Sequence, residues 1–151
     1  MEMEELQYVR KTDLARQTRK VIRDAQRGLT VVVENHGEPE VAIIDIIDYR
    51  ILRAVMRYHA APPKTESKAG LADEEVIGLD PQGRFDLVVA SYLSGAISLG
   101  RVAELLDVPW LDLRTRFLRL DVPLRQGPAD LVEAQAELKE TADWLSRTAK
   151  S

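Results

Sequence analysis

A chain of 151 residues holds one ordinary domain or two small ones, and 45% apolar with 30% charged residues is the balance of a globular protein in water. With no cysteine it makes neither a disulfide, nor a thiolate nucleophile, nor the usual cysteine-held zinc site. The net charge is −4, and no apolar run approaches the roughly 20 residues of a membrane span. The opening MEMEELQ lacks the basic start of a secretion signal, so the expected location is the cytoplasm. The first β character comes at Leu6–Arg10, read as a short strand. Next, KTDLARQTRKVIRDAQRG reads as one helix, capped by Thr12 or Asp13 and closed by Gly28 in the left-handed C′ position. Leu14, Thr18, Val21, Ile22 and Ala25 form its expected buried stripe.

Arg16, Arg19, Lys20, Arg23 and Arg27 recur on the opposite side. Arg10–Arg27 carries seven Lys/Arg against two Asp in a chain that is acidic overall. Most charged faces are simply solvated, but one-signed charge gathered on an acidic protein is also the footprint of a phosphate-binding surface. Two β-branched runs follow, Leu29–Glu34 and Glu40–Asp45, joined by Asn35-His36-Gly37-Glu38-Pro39, which is a hairpin signal.

TDLARQ, the helix ending in Arg27-Gly28, and VVVENHGEPEVAIIDIIDY resemble the prevent-host-death (Phd/YefM) antitoxins over about the first 60 residues. The resemblance implies a small α+β domain, residues 1–60, that forms a homodimer or higher homo-oligomer and binds the operator of its own operon. Arg16 falls on the family's DNA-contacting helix arginine, with Gln17 beside it. The expected DNA-binding set is Arg10, Lys11, Arg16, Gln17, Arg19, Lys20 and Arg23. The family often has a basic residue at the end of the first hairpin strand, where this chain has Glu34. An acidic side chain repels phosphate, so the expected contact runs through the helix.

Ile47–Ala60 reads as a helix with Asp45 or Asp48 as cap and Leu52, Val55, Met56 and His59 at helical spacing. Arg50, Arg53 and Arg57 form a second basic stripe. AAPPKTESKAGLADEE has linker composition, which places a linker at 61–79. Asp80-Pro81 then reads as an N-cap followed by Pro at N1, opening a helix with Phe85, Val88, Val89 and Tyr92 on one face and an end near Gly95. Ser98 caps a further helix with Leu99, Val102, Ala103 and Leu106 inward. Asp107-Val108-Pro109 is a tight turn into Trp110–Leu120. These are the parts of a helix-turn-helix, residues 80–127.

YLSGAISLGRVAELLDVPWLDLRTRFLRLDVPL is similar to a family of short helix-turn-helix proteins encoded beside PIN-domain toxins, which implies the fold and a toxin association. With Trp110, Leu113, Phe117 and Leu120 inward, the outward set is Leu111, Thr115, Leu118 and Arg119, with Arg114 and Arg116 at the flanks. Three readings stand: DNA readout, a protein or dimer contact, and plain packing.

Residues 128–151 place Leu131, Leu138 and Leu145 seven apart, with Trp144 beside the stripe and Glu133, Glu137, Glu140 and Asp143 elsewhere. This C-terminal amphipathic helix either folds back on the preceding unit or docks on a partner. His36 and His59, the only histidines, fit no metal pattern. No nucleophile elbow or phosphate loop is present, so neither enzyme activity, metal nor cofactor is expected.

The combined expectation is an α+β domain followed by an all-α domain and an amphipathic tail. It would act as an antitoxin that binds operator DNA and a protein toxin encoded by an adjacent gene, away from the membrane. A dimeric scaffold or adaptor without DNA binding is the alternative.

Overall fold

The computed structural model describes residues 6–61 and 73–125, with Lys139 beyond them. Among these residues the chain is α+β, in the order β1 (Leu6–Arg10), α1 (Thr18–Gln26), β2 (Thr30–Asn35), β3 (Glu38–Ile43), α2 (Ile46–Ala60), α3 (Asp73–Ile77), α4 (Pro81–Leu93), α5 (Leu99–Leu106) and α6 (Trp110–Arg119). It divides into two compact units, Met1–Arg53 and Ala54–Ser151, so the boundary lies inside α2. Of the linker expected at 61–79, residues 62–72 lie outside the described residues; in the rest α3 forms, contacts α4 and carries the buried Val76.

In the first unit β2 is the central strand, parallel to β1 and antiparallel to β3. The parallel pairing requires a crossover, and α1 supplies it. The register puts Val9, Val33 and Val41 on one sheet face with Gln7, Val31 and Ile43. The core lies on that face: Val9, Val21, Val31 and Val33 pack together, with Leu14 and Ile43 against them. On the other face Tyr8 and Ala42 are exposed.

The helix expected from Thr12 or Asp13 begins only at Thr18. Residues 11–17 form successive turns instead, in which Asp13 N–H donates to the Arg10 carbonyl and the Asp13 carbonyl accepts from Arg16 and Gln17 N–H. Neither expected cap acts, and Gln17 occupies the N-cap position without a side-chain hydrogen bond. The shortened helix buries only Val21 and Ala25; Thr18 is exposed and Ile22 is 50% exposed, against expectation.

The hairpin is tighter than the five-residue joint expected, because His36 and Gly37, at φ 52 and 78, make the whole turn. Two positive φ values match the right-handed twist of the strands. Pro39 is therefore inside β3, at the edge of the sheet, where the register slips near Glu34 and no ladder donor is needed from it.

In α2 the cap is Asp45, whose Oδ2 accepts from Ile47 N–H at 3.0 Å. The buried positions are Asp48, Ile51 and Ala54; of the four residues at helical spacing, Leu52 and Val55 are half-buried while Met56 and His59 are exposed. Period alone does not fix the phase of a stripe when apolar residues occupy both sides of a helix.

In the second unit α4 and α5 follow their sequence signals closely. Asp80 Oδ1 accepts from Gly83 N–H at 2.6 Å with Pro81 opening α4, and Ser98 Oγ accepts from Arg101 N–H at 3.1 Å at the start of α5. Phe85, Val88, Val89 and Tyr92 are buried on α4, and Leu99, Val102, Ala103 and Leu106 on α5. Tyr92 is fully buried with its ring 5.4 Å from Phe117; its hydroxyl donates to the Pro123 carbonyl and accepts from Arg125 N–H. That one side chain ties the segment after α6 back onto α4.

Candidate nucleic-acid interface

The basic surface starts where β1 ends. Arg10 is its last residue, and Lys11 N–H donates to the Glu34 carbonyl at 2.8 Å, fixing the turn to the neighbouring strand. Thr18 Oγ1 lies 3.1 Å from both the Leu14 and Ala15 carbonyls, joining the turns to α1. Arg10, Lys11, Arg16, Gln17, Arg19, Lys20 and Arg23 are all exposed. Arg19, Arg23 and Arg27, four apart, form a row along α1 opposite Val21 and Ala25.

The partners divide this set. Arg10 Nε and Arg16 Nη2 both reach Asp13, at 2.8 and 2.9 Å. Lys11 Nζ lies 3.2 Å from Glu40, and Lys20 Nζ 3.1 Å from Asp24. Among the described residues Arg19, Arg23 and Arg27 have no ion-pair partner. The hydrogen bond from Arg10, together with the charges of Arg10 and Arg16, holds the Asp13 carboxyl below its ordinary pKa. Lys11, then Asn35, does the same for Glu40.

The start of α1 runs against helix electrostatics. It has no side-chain cap and no acidic residue in its first turn, which instead carries Arg19 and Lys20. Positive charge beside the positive end of the helix dipole is unfavourable unless an anion sits there.

No protein family, curated protein or solved structure matches this chain.

The second surface lies on α6. Leu111 is 64% and Leu118 48% exposed, with the exposed Thr115 between them. Leu113 and Phe117 face inward as expected, while Trp110 and Leu120 are only half-buried. Arg114 and Arg119 are half-buried. Arg116 is not a flank residue but a buried one, its Nε donating to Asp112 Oδ2 at 3.0 Å. Of the second basic stripe, Arg57 is engaged with Asp86 at 2.6 Å, where Gln82 also donates.

The partner-binding set of Leu131, Leu138, Trp144 and Leu145 lies outside the described residues. No cluster of potential metal ligands occurs among the described residues, and no helix there is long and apolar enough to cross a membrane. The contributions of Asp13 and Glu40 went unseen in the sequence: Asp13 looked like a cap, and Glu40 is brought to Lys11 only by the hairpin register.

Proposed function

We propose that this chain is the antitoxin of a toxin–antitoxin pair and represses its own operon. In this reading the first unit is a Phd/YefM-like dimerisation and operator-binding domain. The second is a helix-turn-helix domain, and the acidic amphipathic tail covers the RNA-binding groove of a ribonuclease toxin, a PIN-domain protein for preference. The protein acts by occupying surfaces, not by catalysis.

The observation that carries the DNA reading is the exposed row Arg19, Arg23 and Arg27 without acidic partners, on a helix whose first turn lacks an acid, in a protein of net charge −4. Phosphates supply the missing negative charge. Tyr8, at 59% exposure, and the exposed Ala42 on the sheet face away from the core support self-association. For α6, an outward surface led by Leu111 and Leu118 fits a protein contact better than base edges, which call for polar donors and acceptors.

One observation favours the scaffold alternative. Arg10, Lys11, Arg16 and Lys20 are already ion-paired within the chain, as on a merely solvated surface. Titrating the full-length protein into a labelled duplex from directly upstream of its coding sequence, over a range of salt, separates the two. Operator binding gives a steep fall of affinity with salt; a scaffold gives no binding. Copurification with the product of the adjacent gene tests the toxin half.

A further inference from the structure

The two carboxylate oxygens of Asp13 are divided between two arginines on either side of it in the chain. Oδ2 takes Arg10 Nε at 2.8 Å and Oδ1 takes Arg16 Nη2 at 2.9 Å. The side chain of Asp13 is 14% exposed, whereas those of Arg10 and Arg16 are 74% and 80% exposed. The acid therefore sits beneath and the two guanidinium groups lie outward. The carboxylate is itself fixed by the fold: Asp13 N–H donates to the Arg10 carbonyl, its own carbonyl accepts from Arg16 and Gln17 N–H, and the next residue, Leu14, packs on the first core.

We propose that Asp13 is a positioning residue which holds Arg10 and Arg16 as a paired clip for one phosphate of the DNA backbone. This rests on the operator-binding reading. Each guanidinium carries about five N–H donors in a planar fork and uses one on Asp13, leaving the others for phosphate oxygens. Arg10 comes from the end of a strand and Arg16 from a turn, so without the shared acid nothing among the described contacts would bring their heads together. Ordering two long side chains in advance removes that entropic cost from the binding step.

The clip makes a prediction opposite in sign to simple electrostatics. Deleting an acid from a phosphate-facing surface should by charge alone tighten binding and steepen the salt dependence by about one counterion. A positioning acid loosens binding when removed.

The test uses the full chain and fluorescence anisotropy on the labelled upstream duplex. Asp13→Asn and Asp13→Ala should each weaken binding at least about threefold, and Asp13→Ala should have no further effect when Arg10 and Arg16 are both Ala. Arg10→Lys with Arg16→Lys keeps both charges but removes the forks, so affinity should fall while the salt slope stays. Unchanged or tighter binding by the Asp13 variants overturns the clip, as does an equal loss in the double-alanine background. Wild-type affinity in the double-lysine variant overturns it even if the Asp13 variants do not fold. Failure of the wild type to bind any duplex overturns the operator reading and the clip together. Binding that Arg19→Ala/Arg23→Ala weakens and Asp13 variants do not removes the clip alone.

Discussion

Within the basic surface, single side chains differ in what their charge is committed to. Arg19 and Arg23 have no acidic partner among the described residues and need give up nothing to meet a phosphate. Replacing both with Ala should lower the slope of log K against log salt by up to about 2. An unaltered slope and affinity would take α1 out of the interface. Asp13 and Glu40 carry a pH consequence. Both are held below the ordinary carboxylate range, Asp13 first by the Arg10 hydrogen bond and Glu40 first by that of Lys11. A depressed folded-state pKa means the stabilising ion pairs are complete above the unfolded-state pKa and disappear as pH falls through the lower, folded value. Carboxyl-carbon NMR titration should place the Asp13 midpoint below the usual value of about 3.9, and Arg10→Ala should move it back up. The row Arg19, Arg23, Arg27 was legible in the sequence because residues four apart share a helix face. The Arg10–Asp13–Arg16 group was not, because its three residues lie at a strand end and in turns with no common period.

Four helix ends use the same device. Leu29 N–H donates to Asp24, Ala96 to Ser91, Val108 to Ala103 and Val122 to Phe117, each across a residue at positive φ: Gly28, Gly95, Asp107 and Asp121. Glycine takes that backbone conformation without strain, and aspartate is among the few other residues that tolerate it. The two glycine ends were legible in the sequence and Asp107 marked a turn, while the start of α1 had to be seen, since its two candidate caps are excluded by the turns around Asp13. The start of α4 offers a sharper check. Asp80→Ala should cost about 0.5–2 kcal/mol by leaving Gly83 N–H without its acceptor, read as a lower Tm. Gly83→Ala should also destabilise, although alanine is the better helix former. A β-carbon there would stand 2.5 Å from Asp80 Oδ1 and push the cap away. A higher Tm for Gly83→Ala would show that the carboxylate can step aside and still cap.

For the molecule as a whole, composition leads to a mixed α/β beginning and a helical remainder; the described residues are α+β, with all three strands ahead of α2. The two compact units divide at Arg53/Ala54, and residues 62–72 of the expected linker lie outside the described residues. A proline-rich stretch at 62–63 suggests a separator, but compactness depends on which side chains meet, and Ala54 near the middle of α2 already belongs with the second unit. The antitoxin reading predicts a division of labour. A chain ending at Gly127 should still bind the upstream duplex but fail to capture the toxin. Retained toxin pull-down by that shortened chain would remove the tail from the toxin interface, and a lowered Tm with intact capture would point to packing within the chain.

The central place of β2 has a consequence in time. Its partner β3 follows after two turn residues, whereas β1 reaches it only after α1 has closed a much longer loop. Local pairing closes faster than distant pairing, so the hairpin should form as a nucleus and β1 should join last. The reverse path begins at the same seam: β1 is an edge strand, able to detach while the hairpin stays intact. Native-state amide exchange should therefore release the amides bonded across β1–β2 at a lower opening free energy than those across β2–β3. A common opening free energy for all three strands would instead mark the first unit as a single cooperative element, with β1 as firmly committed as the hairpin.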